Sequence, residues 1–131
     1  MNSDISELEA KTNVLNSGII DISEDVSFVS GYFIRANGTI AALSSYAYLE
    51  SVILLKGEKI NVTATVLSEG VVSFVSCWDK NGNYIKTVAL STNDNPQQFE
   101  YTAVAPVEYV RICYNQSYSD TPVILKTQLG L

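Results

Sequence analysis

Apolar and polar side chains alternate with a period of two through almost the whole chain after Gly18. The pattern is cleanest over 59–66, where Ile60, Val62, Ala64 and Val66 fall on one side and Asn61, Thr63 and Thr65 on the other. Val110, Ile112 and Tyr114 alternate in the same way with Tyr109, Arg111 and Cys113. Successive side chains of a strand point to opposite faces, so each run predicts a strand with one buried face. The runs fall at 18–22, 28–36, 39–43, 49–55, 59–67, 71–79, 84–90, 98–104, 109–115 and 122–129. Turn signals separate most of them, at Asn37-Gly38, Lys56-Gly57, Glu69-Gly70, Asn81-Gly82 and the Asn93 to Pro96 region. A tyrosine-rich stretch, SSYAYLES at 44–51, reads as a further turn. Many short strands without helical crossovers predict an all-β, antiparallel, jelly-roll-like sandwich.

The stretch 71–90 is the most informative. It reads strand, tight turn, strand, with Asp79-Lys80-Asn81-Gly82 at the turn. An Asp carboxylate at the first turn position accepts from backbone N–H groups just ahead, and Gly82 can take the left-handed conformation that closes a three-residue loop. That loop sets Cys77 opposite Ile85, facing the core, and Trp78 opposite Tyr84, facing away from it. The rival is a two-residue loop centred on Asn81-Gly82, which would flip the side chains of one strand to the other face.

Residues 3–15 carry a different period. Ile5, Leu8 and Leu15 share a helical stripe with Thr12, Ser3 can cap, and Gly18 can end the helix. Two readings stand: a short helix packed on its own domain, or the last turns of an oligomeric stalk with Ile5, Leu8 and Leu15 as the seam. The domain expectation is a helical stalk segment at 1–18 and a β-sandwich head at 19–131.

Composition narrows function more than fold. A chain of 131 residues with 47% hydrophobic side chains suits one domain with a real core. The formal charge is −6, which argues against nucleic acid and against an anionic membrane surface as partners. No apolar run is long enough to span a membrane. The first residues, MNSDISELEAK, lack the basic and apolar regions of a signal peptide, so either the protein is not secreted by that route or the chain begins inside a longer one.

The chain has no histidine. Serine or cysteine nucleophiles would lack their usual base, no metal-ligand spacing occurs, and no acidic pair sits in a catalytic motif. The expectation is a non-enzyme without metal or cofactor. Asn93-Asp94-Asn95 offers oxygen ligands that could help hold calcium, but reads first as a solvated loop. Cys77 and Cys113 lie inside strand patterns, as buried small hydrophobes or as a disulfide pair whose geometry sequence cannot show. Eight tyrosines and one tryptophan remain. Flat aromatic faces with polar groups at the rim suit sugars. Candidate ligand-binding residues are Trp78 and Tyr84 as a platform, with Arg111, Tyr114 and Tyr118 on another strand and its following loop. The bland alternative is that Trp78 and Tyr114 fill the core or a subunit contact.

The order of motifs adds a resemblance. SGYFIRANGTI, the tyrosine-rich stretch, VILLKGEKINVTA, FVSCWDKNGNYI and FEYTAVAPVEYVRICY are similar to the β-sandwich modules of phage tail-fibre and receptor-binding proteins, and of related prophage and bacterial surface proteins. The likeness covers about residues 28 to 128 and departs from the pattern in having Cys77-Trp78 where Phe-Tyr is usual. It implies a jelly-roll-like head, homotrimeric, binding a host cell-surface carbohydrate. It implies a place on the virion tail or, outside a phage, at a cell surface. It carries no catalytic residues.

Overall fold

The structure is a computed structural model and describes residues 19–118 and 122–127. Among these residues every regular element is a strand. The order is β1 (Ile19–Asp21), β2 (Phe28–Ile34), β3 (Ile40–Leu55), β4 (Lys59–Ala64), β5 (Ser73–Trp78), β6 (Tyr84–Leu90), β7 (Gln97–Thr102), β8 (Val107–Asn115) and β9 (Val123–Thr127). They form two antiparallel sheets, one ordered β1-β9-β4-β7 and the other β2-β3-β8-β5-β6. The expected helix at 3–15 and its seam lie outside the described residues.

The sheets meet as a sandwich. Ile60, Val62, Ala64 and Ile124 of the first sheet and Leu49, Leu54, Val75, Val110 and Ile112 of the second are buried in one continuous apolar cluster. Burying such side chains is worth about 25 cal/mol per Å² of apolar surface. The alternation read at 59–66 and 109–115 is what places Ile60, Val62, Ala64, Val110 and Ile112 among them.

One end of the sandwich gathers three turns and the first and last described strand ends. Ile19 pairs with Thr127, Thr127 with Lys59, and Lys59 with Thr102, while Leu55 pairs with Val107 in the other sheet. The β3–β4, β5–β6 and β7–β8 turns lie here. Two buried acids close two of them. Glu58 Oε1 accepts from Leu55 N at 2.8 Å and meets Lys126 Nζ at 3.7 Å, and Glu108 caps the β7–β8 turn.

Three sequence expectations change. First, 39–43 and 49–55 are parts of one strand, the 16-residue β3, which runs straight through the tyrosine-rich stretch. That stretch contains no Gly, Pro, Asn or Asp to turn it. The irregularity is taken up by bulges instead. Between Ser30 and Tyr32 of β2, β3 advances from Ala47 to Ala42, which leaves three extra residues on β3. Between Leu49 and Val52, β3 carries one extra residue against Ile112 and Val110 of β8.

Second, the β5–β6 turn forms as the three-residue loop. Gly82 N donates to Asp79 O at 3.1 Å, Gly82 has φ of +83°, and Asp79 Oδ1 accepts from Asn81 N and Asn83 N. The Asn83 amides, backbone first, hold the exposed Asp79 carboxyl below its usual range. Trp78 pairs with Tyr84 as expected, but Cys77 pairs with Lys86 rather than Ile85. A bulge between the two pairs takes Ile85 out of register and leaves it 59% exposed.

Third, Trp78 lies in the buried cluster, 5% exposed, and not on an open platform. Arg111 and Tyr84 lie against the indole, and the β2–β3 hairpin packs in turn on Tyr84. Beyond its bulge, Ile34 N donates to Cys113 Sγ at 3.4 Å and Arg35 bridges to Val72. Gly38 at the tip sits so close to Tyr84 that an added Cβ would lie 2.2 Å from the ring. Only glycine permits that approach, and its φ of +87° also favours glycine. Ala36 O receives Thr87 Oγ1 at 3.1 Å, and Tyr84 Oη bonds Thr87 Oγ1 at 2.8 Å. The hairpin tip is thereby fastened over the outer face of β5–β6.

Candidate functional site

Strand β8 carries one charged side chain to each face of its sheet. Val110 and Ile112 point between the sheets, and Glu108 shares their face. Tyr109, Arg111 and Cys113 take the opposite, outer face.

Inside, Glu108 is 7% exposed. Its Oε1 accepts from Tyr101 Oη and from the Cys77 thiol, and its Oε2 accepts from Val104 N and Ala105 N. Burial pushes the carboxyl up, but the hydrogen bonds from Tyr101, Ala105, Val104 and Cys77 outweigh it and hold the group below its ordinary 4.5. Burial, then the neighbouring Glu108, pushes Tyr101 far above the usual tyrosine range. Burial pushes the Cys77 thiol up to about 11. With both oxygens occupied by a turn and its neighbours, this carboxylate is built to hold a loop.

Outside, Arg111 lies over the buried indole. Its guanidinium carbon is 4.1 Å from the Trp78 ring centroid and 5.8 Å from that of Tyr48. Both fall within the range of cation–π attraction. Trp78 is itself fixed, with Nε1 donating to Ser76 Oγ at 2.7 Å and its ring 5.4 Å from Tyr84 in an edge-to-face contact. Tyr109 pairs with Trp78 across the strands and with Ile53 on β3. Arg111 Nε is buried without a hydrogen-bond partner. Among the described residues no side chain accepts from its other nitrogens, and the ion pairs are Lys59 with Glu100 and Lys126 with Glu58.

Of the residues singled out from sequence, the structure brings Trp78, Tyr84 and Arg111 together. It does not bring Tyr114 or Tyr118 to them. Tyr114 faces the interior, its ring 5.1 Å from Phe28, and burial pushes its hydroxyl up. Tyr118 is 42% exposed in the turn after β8, at the far end of the sandwich. Gln116 serves the backbone there, donating to Ser44 O and Tyr46 O at the β3 bulge. Sequence reasoning missed Tyr48, because it lay in the supposed turn, and missed the cover supplied by Ala36 and Gly38. The alternation Tyr46-Ala47-Tyr48-Leu49, with no turn former near it, was the available signal.

The cysteines are both free and buried. Cys77 points between the sheets toward Glu108, and Cys113 points outward toward Ile34. A disulfide would have to pass through the sheet. Burial raises Cys113 to about 12, so neither thiol ionises near neutral pH. Asn93 and Asn95 spend their side-chain oxygens on Glu69 N and Thr65 Oγ1, and no metal-holding cluster occurs among the described residues.

Two concavities lie elsewhere. A cleft of about 540 Å³ is lined by Asp21, Ser23, Glu24, Asp25, Pro122 and Val123. A shallower groove of about 310 Å³ runs between Phe33, Arg35, Asn37 and Val71. In the first, Asp21 already accepts from Ser23 N, and neither contains a buried polar group in need of a partner. No family model, curated protein or solved structure matches the chain.

Proposed function

We infer that this chain is a non-enzymatic binding module whose outer sheet face takes a carbohydrate. The observation that carries the reading is the Trp78–Arg111–Tyr48 stack. It is a rigid, partly exposed surface of aromatic and guanidinium planes with donors to spare, flanked by Tyr109. Sugars present apolar C–H faces and many hydroxyl acceptors, and such a surface meets both. The sequence resemblance to phage tail-fibre and receptor-binding modules points the same way. On that reading the fold is a jelly-roll head, the assembly is a homotrimer, the ligand is a host-surface glycan and the protein resides on a phage tail or a cell surface. The buried acids Glu58 and Glu108 are occupied in closing turns, which leaves them poorly suited to acid–base catalysis.

The test is a glycan array and a host-cell binding assay with the 131-residue chain. Saturable binding that Arg111→Met weakens supports the reading. A folded protein that binds no saccharide and no cell surface overturns it.

One observation favours a second reading, a structural or trimerisation module. Ile53, Leu55 and Val107 are about half exposed on the outer face and Val104 is 65% exposed, all near the end where the described chain begins at Ile19. An apolar patch of this kind marks a contact surface. Light scattering discriminates: a trimer that Leu55→Asp and Val107→Asp dissociate, with no loss of any glycan binding, assigns that patch to assembly.

A further inference from the structure

The geometry points to a carboxylate as the group that Arg111 receives, so the ligand class is an acidic saccharide such as a hexuronic acid oligomer. This deepens the carbohydrate-binding reading above and rests on it.

A guanidinium can donate several hydrogen bonds in one plane. At Arg111 none is made to any described residue, and the buried Nε has no partner. The side chain sits over the Trp78 ring and within reach of the Tyr48 ring, contacts that use none of its donors. The buried Nε lies out of reach of a ligand, whereas the terminal nitrogens are not among the buried unpartnered atoms and offer an end-on fork. A planar carboxylate matches such a fork with two parallel hydrogen bonds.

The surroundings leave the position for an outside anion. The chain has 14 acidic residues, yet none forms an ion pair with Arg111 among the described residues. The acid nearest along the adjoining turn, Asp79, is occupied by Asn81 N, Asn83 N and Asn83 Nδ2. That turn also walls the site, since a Cβ added at Gly82 would come 3.4 Å from Arg111 Nη2. A formal charge of −6 disfavours dense polyanions at long range, so a nucleic acid or a heavily sulfated chain is a poor fit. A short hexuronic acid oligomer, with a single carboxylate on each ring, meets the Arg111 guanidinium at short range and rests a ring on Tyr48 and Tyr109.

Trp78 is the only tryptophan and lies directly beneath Arg111, so its fluorescence reports on this site. The experiment titrates the 131-residue chain with hexuronic acid oligosaccharides, with the same oligosaccharides after carboxyl reduction, and with sulfated neutral analogues. The expected result is a Trp78 emission change with the acidic oligomers and binding at least ten-fold weaker after reduction. Arg111→Met should lose the same factor on the acidic form alone, and added salt should weaken only that form. If the reduced oligomers bind as tightly as the acidic ones, the carboxylate assignment falls while carbohydrate binding stands. If the sulfated analogues bind more tightly, the assignment to a carboxylate falls as well. If no saccharide of any kind binds, both readings fall. Should Arg111→Met not fold, the comparison of acidic and reduced oligomers on the unaltered chain decides alone.

Discussion

Glu108 and Arg111 stand three positions apart on β8 and on opposite faces of one sheet. Each is an ionised side chain beside an aromatic residue, Glu108 at the Tyr101 hydroxyl and Arg111 over the Trp78 ring, yet their situations are opposite. The Glu108 carboxylate gathers four hydrogen bonds from Tyr101, Cys77, Val104 and Ala105. The Arg111 guanidinium makes none among the described residues and is held by ring stacking alone. A buried charge whose every lone pair is met belongs to the fold, because removing it orphans its partners. A charge whose donors are idle contributes little to the fold and is free for a ligand. The contrast separates structure from candidate function on a single strand.

The sharpest way to break it is Glu108→Ala. The substitution strands the Tyr101 hydroxyl and the Val104 and Ala105 amides, at about 1–3 kcal/mol for each buried group left unmet. A loss of about 3 kcal/mol or more is expected in urea denaturation. A loss below about 1 kcal/mol would show that the carboxylate is not structural.

Gly38→Ala comes next. It forces a Cβ into the Tyr84 ring and a side chain into a left-handed backbone, so a loss of about 2 kcal/mol is expected. Because the hairpin tip packs on Tyr84, whose ring contacts Trp78 edge-on, tryptophan emission should shift to the red as well. Unchanged emission and melting would mean that the tip is not fastened on Tyr84.

Acid should expose the same contrast more gently. Glu108 has a folded pKa below 4.5, so the folded state binds its proton less readily than the unfolded chain does. The stabilisation is complete above the unfolded value and disappears as pH falls through the folded one. Melting temperatures should decline below about pH 4.3, and the decline should be shallower in Glu108→Gln. Equal slopes would assign the acid sensitivity to other carboxylates.

Arg111→Met is the smallest effect. It keeps the apolar stem over Trp78 and removes no hydrogen bond, so the loss should be no more than the cation–π contact itself, about 1 kcal/mol. A loss of about 2 kcal/mol would place Arg111 with Glu108 among the structural charges and end the contrast.

Much of the fold could be read from alternation because one face of each strand must be dry. Ile60, Val62, Val110 and Ile112 announced their faces, and Asp79 with Gly82 announced a turn that forms as expected. What alternation could not show was the second layer of burial. The β2–β3 hairpin packs on Tyr84, and Tyr84 and Arg111 lie against the indole, so Trp78 is buried although its register with Tyr84 was read correctly. That folding depends on bulges in β3, and a bulge leaves only a faint mark in the sequence. For the same reason Ile85 was taken as core and is exposed. The site was half legible. Trp78, Tyr84 and Arg111 converge because they share a face, whereas Tyr114 and Tyr118 were grouped with Arg111 by nearness along the chain, which a strand divides between two faces.

The pairing of Ile19 with Thr127 has a mechanical consequence. The described chain enters and leaves the sandwich side by side, across the three residue pairs of β1 and β9. Tension applied between those two points would peel β1 from β9 one pair at a time. It would not shear the β3-β8-β5 sheet that carries Arg111. In an assembly under load, the strands entering and leaving would yield first, and the face that carries Arg111 would stay at rest.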